Sequence, residues 1–171
     1  MRQASVIGRW RWALGTFTVI GAFLFLTTHD ARLTMALAAP QERWAVVERV
    51  VDGDTVVLST KERVRYIGVD TPELHHPRKP VERYAREAKE FNRRLVEGKK
   101  VRLEFDVQRY DKYNRLLAYV YLEDGAFVNA EIMRQGYAQL LTIPPNVKYA
   151  DLFVKLQRQA REAKRGLWGK Q

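Results

Sequence analysis

The segment VVDGDTVVLSTKERVRYIGVDTPE, residues 50–73, combines two short runs of β-branched and aromatic residues with an Asp-Gly-Asp-Thr turn. The runs at 55–58 and 63–69 have the composition of β-strands and are bounded by turn-forming residues. Asp52-Gly53 is typical of a tight connection, because glycine accepts a positive φ and aspartate caps its own backbone. The segment therefore predicts strands and turns that bring several charged side chains together.

Three more strands are predicted around this segment, at residues 44–51, 101–105 and 117–122. A helix is predicted between the third and fourth strands, with Pro80 before it and Gly98 after it. Its apolar residues recur at helical spacing: Val81, Tyr84, Ala85, Ala88, Phe91 and Leu95. Five short strands with a helix after the third form the α+β arrangement of the OB-fold, a partly open five-stranded β-barrel.

Two further helical patterns follow the strands, which makes three predicted helices. The first covers residues 128–135 and ends at Gly136, and the other closes at Gly166 with basic residues in its last turn. The apolar residues of the last helix are Leu152, Phe153, Leu156, Ala160 and Ala163. Since no repeat or break in composition divides residues 40–171, we expect a single folded domain there.

The overall composition is that of a globular protein with a strong positive charge. The chain is 46% hydrophobic and 29% charged, its formal net charge is +10, and it contains no cysteine. A basic protein attracts polyanions such as nucleic acids, although charge alone does not separate an enzyme from a binding module, nor nucleic acid from an anionic membrane. The lack of cysteine excludes disulfides, thiolate metal sites and a cysteine nucleophile.

Residues 1–39 have the features of an export segment. Residues 12–28 are uncharged and follow three arginines, which is typical of a signal peptide or a short membrane anchor. Small residues at 36–38 resemble a cleavage site, but they lie far from the apolar run. Both alternatives predict an exported domain, extracellular or periplasmic, or tethered to the outer side of the cytoplasmic membrane. If Met35 is instead the true start, the protein acts inside the cell.

Asp54 and Asp70 are the candidate metal ligands. Hard cations such as Ca²⁺ and Mg²⁺ prefer oxygen donors, and two aspartates from separate strands can form a site that stays open to substrate. Asp52 lies in the same turn as Asp54. An isolated Asp-Gly-Asp sequence, however, is more often a turn than a metal site.

Arg65 and Arg115 are the candidate phosphate-binding residues. A guanidinium pairs bidentately with phosphate oxygens and keeps its charge, so two of them can stabilise the charge that develops during phosphodiester cleavage. A lone arginine on a strand is more often a solvated surface residue. Strict alternation would also place Arg65 and Asp70 on opposite faces, so their meeting requires a bulge or bend near Gly68.

Glu73 follows Thr71-Pro72, where the proline ring stiffens the end of the strand. Its carboxylate is a candidate general base, although a water-orienting or purely surface role fits the same pattern. His75 and His76 lie in the next loop, where adjacent histidines without a third ligand are more often solvent-exposed than metal-bound.

Taken together, six segments in order resemble the staphylococcal nuclease (thermonuclease) family, and the resemblance extends over essentially all of residues 43–169. They are VVDGDTVVL (50–58), RYIGVDTPE (65–73), HPRKPVERYAREAKEF (76–91), DKYNRLLAYVY (111–121), VNAEIMRQGYA (128–138) and AKRGLW (163–168). The resemblance implies an OB-fold enzyme that hydrolyses single-stranded DNA and RNA with low sequence specificity, uses Ca²⁺ and leaves 3′-phosphates. No feature indicates an obligate protein partner, and we expect a monomer.

The resemblance also implies roles for individual residues. Asp54, Asp70 and the Thr71 carbonyl match the calcium ligands of the family. The catalytic positions match Arg65, Glu73 and Arg115. Lys79 and Tyr113 match positions near the nucleotide phosphate.

One departure from the family lies at residues 140–146. The staphylococcal enzyme has two tyrosines there near the bound base, whereas this chain has Leu141, Thr142, Ile143 and Pro144. Base stacking and base preference are therefore expected to differ. The alternative function is a non-catalytic OB-fold or Tudor-like module that binds nucleic acid or protein, and the five charged residues of the candidate site are evidence against it.

Overall fold

The computed structural model describes residues 42–74 and 80–169. The predicted export segment, His75, His76 and Lys79 lie outside the described residues. The strands are β1 (Glu42–Asp52), β2 (Thr55–Leu58), β3 (Arg63–Tyr66), β4 (Gly68–Asp70), β5 (Lys100–Glu104), β6 (Leu116–Leu122) and β7 (Gln139–Leu141). The helices are α1 (Ala85–Val96), α2 (Val128–Arg134) and α3 (Ala150–Glu162), and a 3₁₀ turn covers Gly166–Trp168.

Five of the strands close into a barrel in the order β1-β2-β3-β6-β5. Neighbouring strands are antiparallel except β3 and β6, which are parallel. The alternate residues Val56 and Leu58 of β2, and Val64 and Tyr66 of β3, are fully buried inside the barrel. The predicted OB-like α+β fold, with a five-stranded barrel and three helices, is confirmed.

The prediction of a single strand at 63–69 was wrong, because the strand is interrupted at Ile67 and divides into β3 and β4. Gly68 has a φ of +83°, a backbone conformation that residues with a Cβ rarely adopt. The chain therefore leaves the barrel after β3, and β4 pairs instead with the unpredicted strand β7, with Val69 opposite Leu140. This is the bend that the sequence required near Gly68.

Gly68→Ala is expected to destabilise the domain by about 2–5 kcal/mol. The left-handed backbone costs a residue with a Cβ about 1–2 kcal/mol, and overpacking in a core adds about 1–3 kcal/mol. The new Cβ would lie 2.3 Å from a ring carbon of Phe153. Gly125→Ala is the matched control, since Gly125 has a φ of +87° but no heavy atom within 4 Å. Urea unfolding of both variants checks the prediction, and equal losses would refute the packing component.

Asn129 of α2 forms hydrogen bonds both to the interruption between β3 and β4 and to the barrel strand β6. Its buried amide donates to the carbonyl of Ile67 at 2.9 Å, and its carbonyl accepts from the backbone N–H of Val120 at 2.9 Å. Backbone groups freed from strand pairing are thereby satisfied by one side chain. The position of α2 and the geometry of the break therefore depend on each other.

The helices agree with the predicted pattern except at the start of α1. The predicted helix begins after Pro80, but α1 begins at Ala85, because Tyr84 has a φ of +66° and Val81 is 49% exposed. Helix α2 begins at the predicted residue and α3 ends one turn before Gly166. Within the described ranges, no helix has the length and apolar character needed to cross a membrane.

Candidate active site

Asp54 sits in the turn between β1 and β2, with its side chain held from two directions. One carboxylate oxygen accepts hydrogen bonds from the backbone N–H of Thr71 at 2.8 Å and from the Thr71 hydroxyl at 2.9 Å. The other accepts from the hydroxyl of Thr55 at 2.9 Å. Asp54 is only 6% exposed. A buried carboxylate requires such partners, and they hold the start of β2 against the end of β4.

The guanidinium of Arg65 spans the break between β3 and β4. One terminal nitrogen donates to the carbonyls of Tyr66 and Val69, at 2.9 Å and 2.6 Å. The other contacts Asp70 at 2.8 Å and Asp54 at 3.2 Å. The bend at Gly68 therefore brings Arg65 and both candidate metal ligands together, although they are on different strands.

Five carboxylates gather at this end of the barrel. Burial, together with the nearby charges of Asp54 and Glu73, raises the pKa of Asp52 to about 6. Partial burial also raises the pKa of Asp70, where the attraction of Arg65 is opposed by the charges of Asp54 and Glu82. Clustered acids repel one another unless a cation compensates them. This end of the barrel therefore favours cations.

The donor set fits a hard cation. The carboxylates of Asp54 and Asp70 both lie within reach of one Arg65 nitrogen, and Thr71, whose carbonyl is the third predicted ligand, is buried next to Asp54. All three supply the oxygen donors that Ca²⁺ prefers. Residues 42–74 and 80–169 contain no cluster of three or more acidic or histidine side chains with metal-binding geometry. The fit of Asp54, Asp70 and Thr71 to such a cation therefore rests on the chemistry of their oxygen donors.

Arg115 is fixed by Asp111 in the loop before β6. Its Nε donates to Asp111 at 2.6 Å, and its backbone N–H donates to the same carboxylate at 2.9 Å. Although burial opposes the effect, hydrogen bonds from Arg115 and Tyr113 hold the pKa of Asp111 below its usual value. In the described part of the chain, side-chain hydrogen bonds of Arg115 involve Nε alone. Its two terminal nitrogens are therefore available to an anion.

A pocket of about 360 Å³ lies between Arg65 and Arg115. Tyr113 lines it and is 68% exposed, and Leu141 and Ile143 form an apolar part of the wall. Asn146 holds this wall, because its amide exchanges two hydrogen bonds with the backbone of Gln108, at 2.7 Å and 2.8 Å. The pocket thus offers two guanidinium groups, one exposed aromatic ring and an apolar surface.

The predicted residues are brought together to different degrees. Asp54, Arg65, Asp70 and Thr71 are in direct contact, whereas Arg115 and Tyr113 join Arg65 through the shared pocket. Glu73 is exposed, and its backbone exchanges hydrogen bonds with Glu82.

Sequence reasoning missed three residues at the site: Glu82, Asp111 and Asn146. The one signal that could have indicated the pair is the position of Asp111 at the start of a turn, where an aspartate side chain commonly accepts hydrogen bonds from the backbone that follows. Glu82 and Asn146 reach the site through tertiary contacts that no local pattern reveals.

Comparisons with known proteins agree with this geometry. The family model described as staphylococcal nuclease homologue matches residues 63–170. Thermonuclease of Staphylococcus hyicus is 36% identical over 162 residues, which cover 90% of this chain and 95% of the relative. Thermonuclease of Staphylococcus intermedius is 41% identical over 126 residues, covering 72% of this chain and 74% of the relative. Endonuclease YncB of Bacillus subtilis (strain 168) is 40% identical over 129 residues, covering 72% and 61%. This chain therefore belongs to the staphylococcal nuclease family.

Proposed function

We propose that this nuclease uses Ca²⁺ to hydrolyse single-stranded DNA and RNA with low sequence specificity, leaving 3′-phosphates. The chain is a nuclease hydrolase, as its family and its thermonuclease and endonuclease relatives indicate. The observation that carries the proposal is the contact of Arg65 with both Asp54 and Asp70 beside a pocket lined by Arg115. This arrangement supports the proposal, because carboxylates of the type that hold a cation lie next to guanidinium groups of the type that bind a phosphate.

Each residue of the proposed centre has a role that follows from its surroundings. Asp54, Asp70 and the Thr71 carbonyl would hold Ca²⁺, which when bound supplies positive charge and Lewis acidity to the phosphate. Arg65 would bind a phosphate oxygen through the nitrogen that now contacts the carboxylates. Arg115 would stabilise the charge that grows on the phosphate and the leaving oxygen through its two terminal nitrogens.

Glu73 is proposed as the residue that accepts or orients the proton of the attacking water. Glu73 is exposed beside the acidic cluster, and its negative charge contributes to the raised pKa of Asp52. An exposed carboxylate next to a site is accessible to water, and a positioned general base contributes about 10²–10⁴-fold to a rate.

The substrate preference rests on the shape of the pocket. Tyr113 offers an exposed ring and a hydroxyl to the nucleotide, and the apolar wall of Leu141 and Ile143 offers a surface for a base. An unpaired base can leave its stack and reach such a wall, whereas a base in a duplex is held by pairing and stacking. Lys79 is proposed as a further phosphate contact.

The proposal is tested with the full-length chain and three labelled substrates of the same sequence: single-stranded DNA, single-stranded RNA and duplex DNA. With Ca²⁺ present, we expect both single strands to be cut at least about tenfold faster than the duplex. Digestion of the products with a 3′-phosphatase should change their mobility. Tight binding without any cleavage would instead favour the non-catalytic OB-fold or Tudor-like module.

Glu73→Gln is expected to lower kcat about 100-fold on single-stranded DNA, because the amide keeps the shape but cannot accept a proton. Glu87→Gln, on the exposed surface of α1, is the matched control for loss of one carboxylate. Steady-state kinetics with Ca²⁺ checks the prediction. A decrease in kcat of less than threefold for Glu73→Gln would indicate that the glutamate is a surface residue without a catalytic role.

We also propose that the protein is exported and monomeric. Residues 12–28 would act as a signal or as a membrane tether that leaves the nuclease domain outside the cytoplasmic membrane. Fractionation together with the N-terminal sequence of the mature protein tests this. A cytoplasmic protein that begins at Met35 would contradict it, and light scattering gives the oligomeric state.

A further inference from the structure

Two exposed arginines continue from the proposed centre across the outer face of the barrel. On β2, Val57 pairs with Arg49 of β1 on one side and with Arg63 of β3 on the other. Residues that are opposite one another in a sheet point to the same face. Arg49 and Arg63 are both exposed, so their guanidinium groups flank Val57 on the outside of the barrel.

Arg115 lies in the same row. Val64 of β3 pairs with Leu116 of β6, and both side chains point into the core. Arg63 and Arg115 immediately precede this pair, so they are neighbours at the start of β3 and in the loop just before β6. Arg63 is exposed and Arg115 lines the pocket beside Arg65, so both lie outside the core. Arg49, Arg63 and Arg115 form what we call the arginine row. With about 4.8 Å between adjacent strands, the row spans roughly 14 Å.

The arginine row runs alongside the residues of the proposed centre. The next set of paired residues along the strands is Asp52 of β1, Thr55 of β2 and Arg65 of β3. Arg63 and Arg65 are two positions apart on one strand, so they share a face at a separation of about 7 Å. The row therefore begins at the centre and leads away from it on the same surface.

The charges of Arg49 and Arg63 are not compensated within the described ranges, where neither has an ion pair or a side-chain hydrogen bond. A groove of about 480 Å³ lies between them, with Val51 and Val57 in its lining. Its one acidic side chain, Glu48, is paired with Lys61 at 2.6 Å. The groove therefore offers two free guanidinium forks to an anionic ligand.

We propose that Arg49 and Arg63 are a phosphate-binding extension of the active site, which holds the backbone of single-stranded substrate on one side of the scissile bond. The inference rests on the proposed function, since it concerns where the part of the same nucleic-acid substrate beyond the scissile phosphate binds. A polyanion whose scissile phosphate lies near Arg115 meets Arg63 next and Arg49 after it. Contacts of this kind bind phosphates without reading sequence.

The test compares the full-length double variant R49Q/R63Q with the wild type. Glutamine keeps much of the apolar stem over Val57 and removes only the charge, and circular dichroism melting verifies the fold. K155Q/R158Q, on the exposed surface of α3, is the control with the same loss of charge. Binding of labelled oligothymidylates of about 16 and about three nucleotides is measured by fluorescence anisotropy in EDTA, so that no substrate is cut.

For the longer oligonucleotide we expect R49Q/R63Q to bind about tenfold more weakly than the wild type. The slope of log affinity against log salt should become shallower by about 1.4, which is about 0.7 for each phosphate contact on a single strand. The shorter oligonucleotide cannot reach the whole row, so its affinity should change less. With Ca²⁺ added, the ratio of kcat/KM for the long substrate to that for the short one should also fall.

The inference is overturned if R49Q/R63Q and K155Q/R158Q have the same affinity and salt slope. It is also overturned if the double variant loses binding to phosphatidylserine vesicles while the salt dependence of its DNA affinity equals that of the control. That result would indicate that the arginine row binds a membrane surface. A wild type that binds DNA but never cuts it would refute the proposed nuclease activity alone. The binding comparison would still decide the role of the arginine row.

Discussion

Arg115→Ala is expected to lower kcat on single-stranded DNA by about 10³-fold or more while the fold stays intact. Removing one preorganised donor from an oxyanion site costs about 10²–10³-fold, and an arginine on a transferring phosphoryl group contributes about 10³–10⁵-fold. The side chain is held through Nε by Asp111 at the edge of the pocket, so the two terminal nitrogens are not used in this contact. Single-turnover cleavage with saturating Ca²⁺ measures the loss.

Two further variants separate charge from geometry. Arg115→Lys keeps the positive charge but loses the planar fork, so its kcat should lie within about tenfold of the alanine variant. Asp111→Asn should lower kcat less, because the arginine remains but is held less firmly. Lys155→Gln serves as a control on the surface of α3. If Arg115→Lys were as active as the wild type, a general electrostatic effect would replace the proposed bidentate contact.

Removal of Ca²⁺ with a chelator is expected to lower cleavage by about four orders of magnitude, a loss of about 5 kcal/mol of transition-state stabilisation. The wild type should also unfold at a higher temperature with Ca²⁺ than without it, because a ligand that binds only the folded state stabilises it. Both effects are expected because the carboxylates of Asp54 and Asp70, which contact the same nitrogen of Arg65, are the proposed calcium ligands.

Asp70→Asn is the variant that tests the ligand assignment. The Asp70 side chain is 53% exposed, so the substitution removes charge with little effect on packing. We expect half-maximal activity to need at least about tenfold more Ca²⁺, which corresponds to about 1.4 kcal/mol. Asp151→Asn, in the first turn of α3, is the control. An unchanged calcium requirement in Asp70→Asn, measured by activity and by melting temperature, would contradict the assignment.

The sequence contained enough information to predict the barrel and the three helices, because their residues follow regular patterns. The strand predicted at 55–58 agrees with β2, and the one predicted at 101–105 agrees with β5 (Lys100–Glu104) to within one residue at each end. Helix α2 begins at the predicted Val128. The need for a bend near Gly68 also followed from the alternation rule, since Arg65 and Asp70 are an odd number of positions apart.

Other features depend on contacts that are distant in sequence. The strand β7 is three residues long, and its pairing with β4 is what defines it. The late start of α1 results from the left-handed conformation of Tyr84, although a tyrosine gives no local signal for that conformation. Asn146 reaches the pocket because it pairs with Gln108, 38 positions earlier. Such tertiary contacts override local preference.

The pairing of β4 with β7 has a consequence for how the enzyme is made. The proposed catalytic and metal-binding residues lie between positions 54 and 115, yet β4 finds its partner only at Gln139–Leu141. The barrel likewise needs β6, which ends at Leu122. Non-local pairings of this kind make folding slow, because long loops must close before the contacts form. A nascent chain released before residue 139 would carry every proposed catalytic side chain and remain inactive.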